Sequence, residues 1–192
     1  MSNFFSTVLA LMLIFGIVKN VKAQSSTGDT QGHTKSNWFI SSSMGIQMSG
    51  IKSEDFIKSN YSPLINVSIG KWFSRELAIQ FGYRGKYFNA ISDDVKHYYN
   101  YFYGDVIFNI NDIIFSQKHS IYKLFVHTGS GYFYNYEYGR PNICANFTLS
   151  NNLNLNDDLF LKLEISAVMG WDIYQGDEDI LPSLSMGISY SL

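Results

Sequence analysis

The 192-residue chain has a single cysteine, Cys144, so no intramolecular disulfide framework can staple it. Three prolines serve its whole length. Charged residues make up 16%, against a usual value of about 25%, which excludes a disordered tail or a charge-laced coiled coil. Basic residues are not in excess, since the formal net charge is −2, and nothing invites nucleic acid. No apolar run reaches the roughly 20 residues that a helical membrane span needs. A mean hydropathy of −0.05 does not extend that exclusion to transmembrane β-barrels, whose strands alternate apolar and polar residues and average out. What the chain has in quantity is aromatic side chains, at 17%.

The N-terminus reads as an address. Phe4 and Phe5 lead into an apolar run from Val8 to Val18, and Val21-Lys22-Ala23 has the small-x-small pattern of a signal peptidase site. Residues 1–23 are therefore expected to be a cleaved signal peptide. Cleavage would remove Lys19 and Lys22 and make the remainder more acidic. Residues 24–36 (QSSTGDTQGHTKS) are polar and without periodicity, and are expected to form a flexible leader. The folded part is expected to run from 37 to 192.

Within 37–192 almost every segment has period two, the spacing of a strand with one face unlike the other. Trp38, Ile40, Met44, Ile46 and Met48 oppose Ser41, Ser43, Gly45 and Gln47. The same alternation predicts strands near 63–71, 76–86, 97–109, 121–134, 143–155, 159–170 and from 183 to the end. Segments of about 9 to 13 residues match a tilted strand crossing a bilayer, and an even number of strands can close without an edge. Connections are mostly short on one side and long on the other, as in outer-membrane barrels. The segment 110–120 breaks that rule, and its Ile113, Ile114 and Phe115 are expected to extend a strand or pack under the rim. The predicted fold is all-β: an eight-stranded antiparallel up-and-down transmembrane barrel.

An eight-stranded barrel has a lumen just wide enough for side chains to fill. The polar faces supply Gly, Ser and Asn together with Arg84, Asp105, Lys123, Lys162 and Glu164, which point inward and are expected to pair into a network that plugs the lumen. Aromatic residues near strand ends, including Trp38, Trp72, Phe73, Tyr132 and Trp171, are expected to form interfacial girdles.

With these residues in view, the chain resembles the small outer-membrane β-barrel proteins of Bacteroidetes-type bacteria, within the OmpA-like transmembrane barrel superfamily. Ile65 to Phe88 (INVSIGKWFSRELAIQFGYRGKYF) looks like that family's second hairpin, and SLSMGISYSL looks like its closing strand. The resemblance implies recognition of Ile188, Tyr190 and Leu192 by the barrel assembly machinery, with Leu192 in place of the favoured terminal aromatic. It also implies residence in the bacterial outer membrane among lipid and lipopolysaccharide, with loops outside and with turns and N-terminus periplasmic. The functional expectation is a monomeric, non-enzymatic barrel with a structural or surface-contact role through four loops.

Two other readings stay open. A lipid-modifying enzyme in the barrel wall would need an activated nucleophile. Its candidate residues are His97 and the pair His127 and Ser130, but three-residue spacing on a strand puts that pair on opposite faces. A secreted lipocalin-like carrier would turn the apolar face inward. Asp172, Asp177, Glu178 and Asp179 around Gly176 match no calcium-loop template and read as a solvated acidic loop, with cation binding as the alternative. No cofactor site emerges.

Overall fold

A computed structural model describes residues 37–49, 61–89, 96–115, 122–171, 173 and 178–192. Eight strands follow one another: β1 (Trp38–Met48), β2 (Tyr61–Trp72), β3 (Leu77–Asn89), β4 (Lys96–Asn109), β5 (Tyr122–Asn135), β6 (Arg140–Asn154), β7 (Leu159–Trp171) and β8 (Glu178–Ser191). Each pairs antiparallel with the next, and β1 pairs with β8 to close the barrel, from Phe39 opposite Ser191 to Gln47 opposite Ser183. Closure satisfies every strand's ladder and removes the edges. The signal peptide and leader assigned to 1–23 and 24–36 lie outside the described residues.

Several strands run beyond the alternating stretches that predict them. β3 continues to Asn89, β6 begins at Arg140 and β8 begins at Glu178, all at the same end of the barrel. The ladder persists there after apolar alternation stops, because backbone pairing does not require an apolar outer face. At the opposite end two tight turns close on serine and asparagine side chains. Ser74 Oγ accepts from the backbone N–H groups of Glu76 (3.2 Å) and Leu77 (3.1 Å), and Asn156 Oδ1 accepts from those of Asp158 (3.0 Å) and Leu159 (2.8 Å). The β5–β6 connection, at the other end, turns at Gly139, whose φ of +61° favours glycine.

The irregular segment after β4 is a π-helical turn, Asn111–Phe115, and not a strand extension. It is tied to the rim by side-chain bonds: Asn109 Nδ2 donates to the Arg75 carbonyl (3.1 Å) and to Asp112 Oδ2 (3.0 Å), while Asn111 Oδ1 accepts from Leu124 N (2.7 Å).

The outside of the wall is apolar. Met44 (72% exposed), Phe81 (66%), Ile165 (62%) and Leu184 (54%) stand outward with Ile40, Ile69, Phe102, Phe147 and Met186. The carrier reading, with apolar side chains turned inward, is overturned by this band.

Candidate functional site

The interior is layered. At its centre lies a polar network. Lys162 Nζ and Glu164 Oε1 are 2.8 Å apart with both side chains buried, and Glu164 Oε2 also accepts from Ser43 (3.0 Å) and Ser185 (3.2 Å). That carboxylate is fully occupied, as a buried ion pair requires. Gln80 Nε2 donates to Asp105 Oδ2 (3.0 Å), and Asn146 Nδ2 donates to Asp105 Oδ1. Asp105 and Asn146 are ladder neighbours of Gly129 on either side. A Cβ at Gly129 would strike the Gly104 carbonyl and Asp105, so the missing side chain lets the Asp105–Asn146 bond cross β5.

Arg84, Asp105, Lys162 and Glu164 are all buried within the barrel, but Arg84 and Asp105 do not join an ion pair. Arg84 Nη2 donates to Gln47 Oε1 (3.1 Å) and Nη1 to Ser166 Oγ (3.2 Å), and its Nε is buried without a partner. The expectation that all five charges pair is corrected to a single Lys162–Glu164 pair among these five. Register explains it. Arg84 lies opposite Tyr101, four residues along β4 from Asp105, or about 13 Å at the rise of a strand. Lys123, half-buried, sits over the Phe160 ring with its Nζ 5.9 Å from the centroid.

Above this network the lumen is sealed by apolar and aromatic side chains. Phe88, Tyr99, Tyr101, Phe133, Cys144, Val168, Ile173 and Leu181 form one buried cluster. Tyr99 stacks on Phe133 with centroids 4.8 Å apart, and its hydroxyl donates to Gln47 Oε1 (2.8 Å). Gln47 and Gln80 lie on the polar faces expected to line the lumen, whereas Tyr99 and Tyr101 are lumen residues that the sequence reading does not include. The inward parity of Tyr99 and Tyr101 beside Tyr103 and Asp105 is the signal that carries them. Between network and seal remains a gap of about 20 Å³, room for roughly one water.

Below the network the barrel opens into a vestibule of about 860 Å³ at the end that holds Asn37 and the two tight turns. One wall is aromatic. Trp72 packs on Phe39 (6.0 Å between centroids) and Phe125 (5.6 Å), beside Ala78 and Ile107. Trp72 is therefore not a girdle residue: it shares the inward face with Ser68 and Gly70, and the parity of β2 turns Lys71 outward instead. Lys71 stands over the outward Trp38 ring at 5.3 Å. Trp38, Tyr132 and Trp171 are exposed on the outside, the first at the turn end and the other two toward the opposite end, whereas Phe73, exposed in the β2–β3 turn, borders the vestibule. Ile188, Tyr190 and Leu192 are likewise exposed along one outward row.

Neither described histidine, His97 or His127, pairs with Ser130. Ser130 is exposed while His127 is buried, on opposite faces. His127 Nε2 instead lies 2.8 Å from Ser150 Oγ, and its Nδ1 lies 3.2 Å from Gln80 Nε2. An amide N–H pointing at Nδ1 leaves that nitrogen as acceptor and places the ring proton on Nε2, where it donates to Ser150. In that tautomer the imidazole cannot take the serine proton. His97 is buried against Phe88 (5.3 Å, stacked) with Asn135 Nδ2 at 3.2 Å from its Nδ1. Most of the acidic cluster, including Asp172, Gly176 and Asp177, lies outside the described residues, and Asp179 is buried in β8.

No protein-family model and no curated protein matches the sequence. The fold does match solved structures. The crystal structure of Neisserial surface protein A superposes with a TM-score of 0.59 at 11% identity, covering 84% of this chain and 100% of that one. The N-terminal β-barrel domain of Pseudomonas aeruginosa OprF gives 0.51 at 13% identity, covering 81% and 99%. The chain has the fold of small eight-stranded outer-membrane barrels. At this identity the likeness concerns the fold alone.

Proposed function

We propose that this protein is an integral barrel of a bacterial outer membrane that acts without catalysis, through structural or surface contact made by its four long-side connections. The observation that carries the proposal is the continuous apolar exterior of a closed barrel. Side chains such as Met44, Phe81, Ile165 and Leu184 gain nothing from water and are stabilised by lipid, and closure leaves no unpaired backbone in the wall. Neisserial surface protein A, with the same architecture, is a surface protein by name.

The finer assignments rest on residues. The barrel end at which β1, β3, β5 and β7 finish faces the exterior, and the tight turns face the periplasm, to which residues 1–23 direct export before their removal after Ala23. Lipid and lipopolysaccharide surround a monomer, with Trp38, Tyr132 and Trp171 at the interfaces. The outward row Ile188, Tyr190 and Leu192 offers β8 to the barrel assembly machinery, as the resemblance to OmpA-like barrels of Bacteroidetes-type bacteria implies. The sealed lumen supports a contact role over a pore.

The test is heat-modifiability of the full chain in washed outer membranes, with cleavage of intact cells by an added protease. One band that changes apparent size on boiling, and nicks confined to the four long-side connections, are expected. A soluble periplasmic product without a shift would overturn the membrane assignment.

A further inference from the structure

The vestibule is a built binding site with no occupant assigned to it by the contact role. Its volume of about 860 Å³ falls within the range of small-molecule pockets, about 300–1,000 Å³, and its composition is theirs as well: an apolar wall with a few convergent polar groups. Phe39, Trp72 and Phe125 form the wall on one side. Facing inward beside it, Lys123, two residues from Phe125 on β5, and Lys162 flank Asn152 in one ladder row across β5, β6 and β7.

The three groups of that row are not equivalent. Lys162 is neutralised by Glu164 at 2.8 Å. Lys123 has no carboxylate within ion-pair distance among the described residues, and its ammonium rests against the Phe160 ring. Asn152 Oδ1 is buried and accepts no hydrogen bond. A cation without a carboxylate partner among the described residues therefore sits beside the aromatic wall, two residues from Phe125 along the inward face of β5. The anionic end of a ligand neutralises Lys123 and its apolar body lies against the aromatic wall; the Asn152 oxygen, an acceptor, takes no part in holding an ionised carboxylate, which has no donor. At the mouth Glu76 and Asp112 offset Arg75, which disfavours a multiply charged anion.

We propose that the vestibule binds a small amphipathic monoanion, a carboxylate on an aryl or short alkyl body, with Lys123 holding the carboxylate and the Phe39–Trp72–Phe125 wall covering the body. This site belongs to the barrel's interior and stands whether or not the long connections bind a partner.

Trp72 reports on it directly, since Trp38 and Trp171 are on the outside. The full-length barrel carrying Trp38→Phe and Trp171→Phe, folded into lipid nanodiscs and checked by its heat-dependent gel shift, is titrated with 4-phenylbutyrate. A saturable change in Trp72 emission is expected, with the dissociation constant at least tenfold weaker in Lys123→Met and for the neutral analogue 4-phenylbutanol. A change that never saturates, that is the same in Lys123→Met, or that is matched by the neutral analogue overturns the proposal. If Lys123→Met does not fold, Lys123→Gln takes its place, and a dissociation constant within twofold of the parent overturns the proposal equally.

Discussion

Asp105 and Asn146 are hydrogen-bonded across β5 over the backbone of Gly129, which lies between them in the ladder. A side chain at 129 cannot fit without displacing the Asp105 carboxylate or the Gly104 carbonyl. Gly129→Val is therefore expected to destabilise the barrel by about 1–3 kcal/mol through overpacking, although valine is intrinsically the better strand residue. Reversible urea unfolding in lipid vesicles measures it. A stability equal to or above the parent's would show that the crossing is not constrained.

The Lys162–Glu164 pair invites a double-mutant cycle. Both side chains are buried, so removing either partner alone strands a charge, at a cost of about 3–5 kcal/mol. Glu164→Gln and Lys162→Met are each expected to lower stability by that order, and the double variant by clearly less than their sum. Additive losses in the same urea titration would mean that the two groups do not interact.

Much of this arrangement was legible in the alternation alone. Period two separates Gln80 and Arg84 from Phe81 and Tyr83, and the wall follows that division along all eight strands. Parity also places Trp72 inside, and reading it as a girdle residue gave its position near a strand end more weight than its phase. Pairing was not legible, because whether Arg84 meets Asp105 depends on register between β3 and β4 and not on either strand's own sequence. The pairing of His127 with Ser150 was hidden for the same reason: it joins β5 to β6 across 23 residues. Polarity near the long connections concealed the length of β3, β6 and β8, where the ladder outlasts the apolar pattern.

The outer face makes a depth-dependent prediction. Met186 is outward in the middle of the wall, opposite Met44 and Leu163, whereas Trp171 ends β7. For a barrel in lipid, Met186→Arg is expected to cost about 2–4 kcal/mol and Trp171→Arg about 1 kcal/mol or less. Equal costs at the two positions would count against a bilayer around this wall.

Single-tryptophan variants separate inside from outside. In vesicles containing brominated lipid, Trp38 and Trp171 are expected to be quenched, and Trp72 to keep most of its emission because its ring is enclosed with Phe39 and Phe125. Quenching of Trp72 as strong as that of Trp38 would put it back on the lipid face.

Lys86 has a φ of 124°, in a region that side chains with a Cβ rarely adopt, although it is paired in the ladder with Leu64 and Tyr99. Backbone strain of this kind costs about 1–3 kcal/mol and is relieved by glycine. Part of that gain is lost to the greater chain entropy of glycine when unfolded. Lys86 is exposed, so its removal opens no cavity. Lys86→Gly is therefore expected to raise stability by about 1 kcal/mol, while Lys86→Ala, which keeps the Cβ, leaves it nearly unchanged. The comparison of the two variants in urea isolates the backbone from the lost charge, since both remove the ammonium and only one removes the strain.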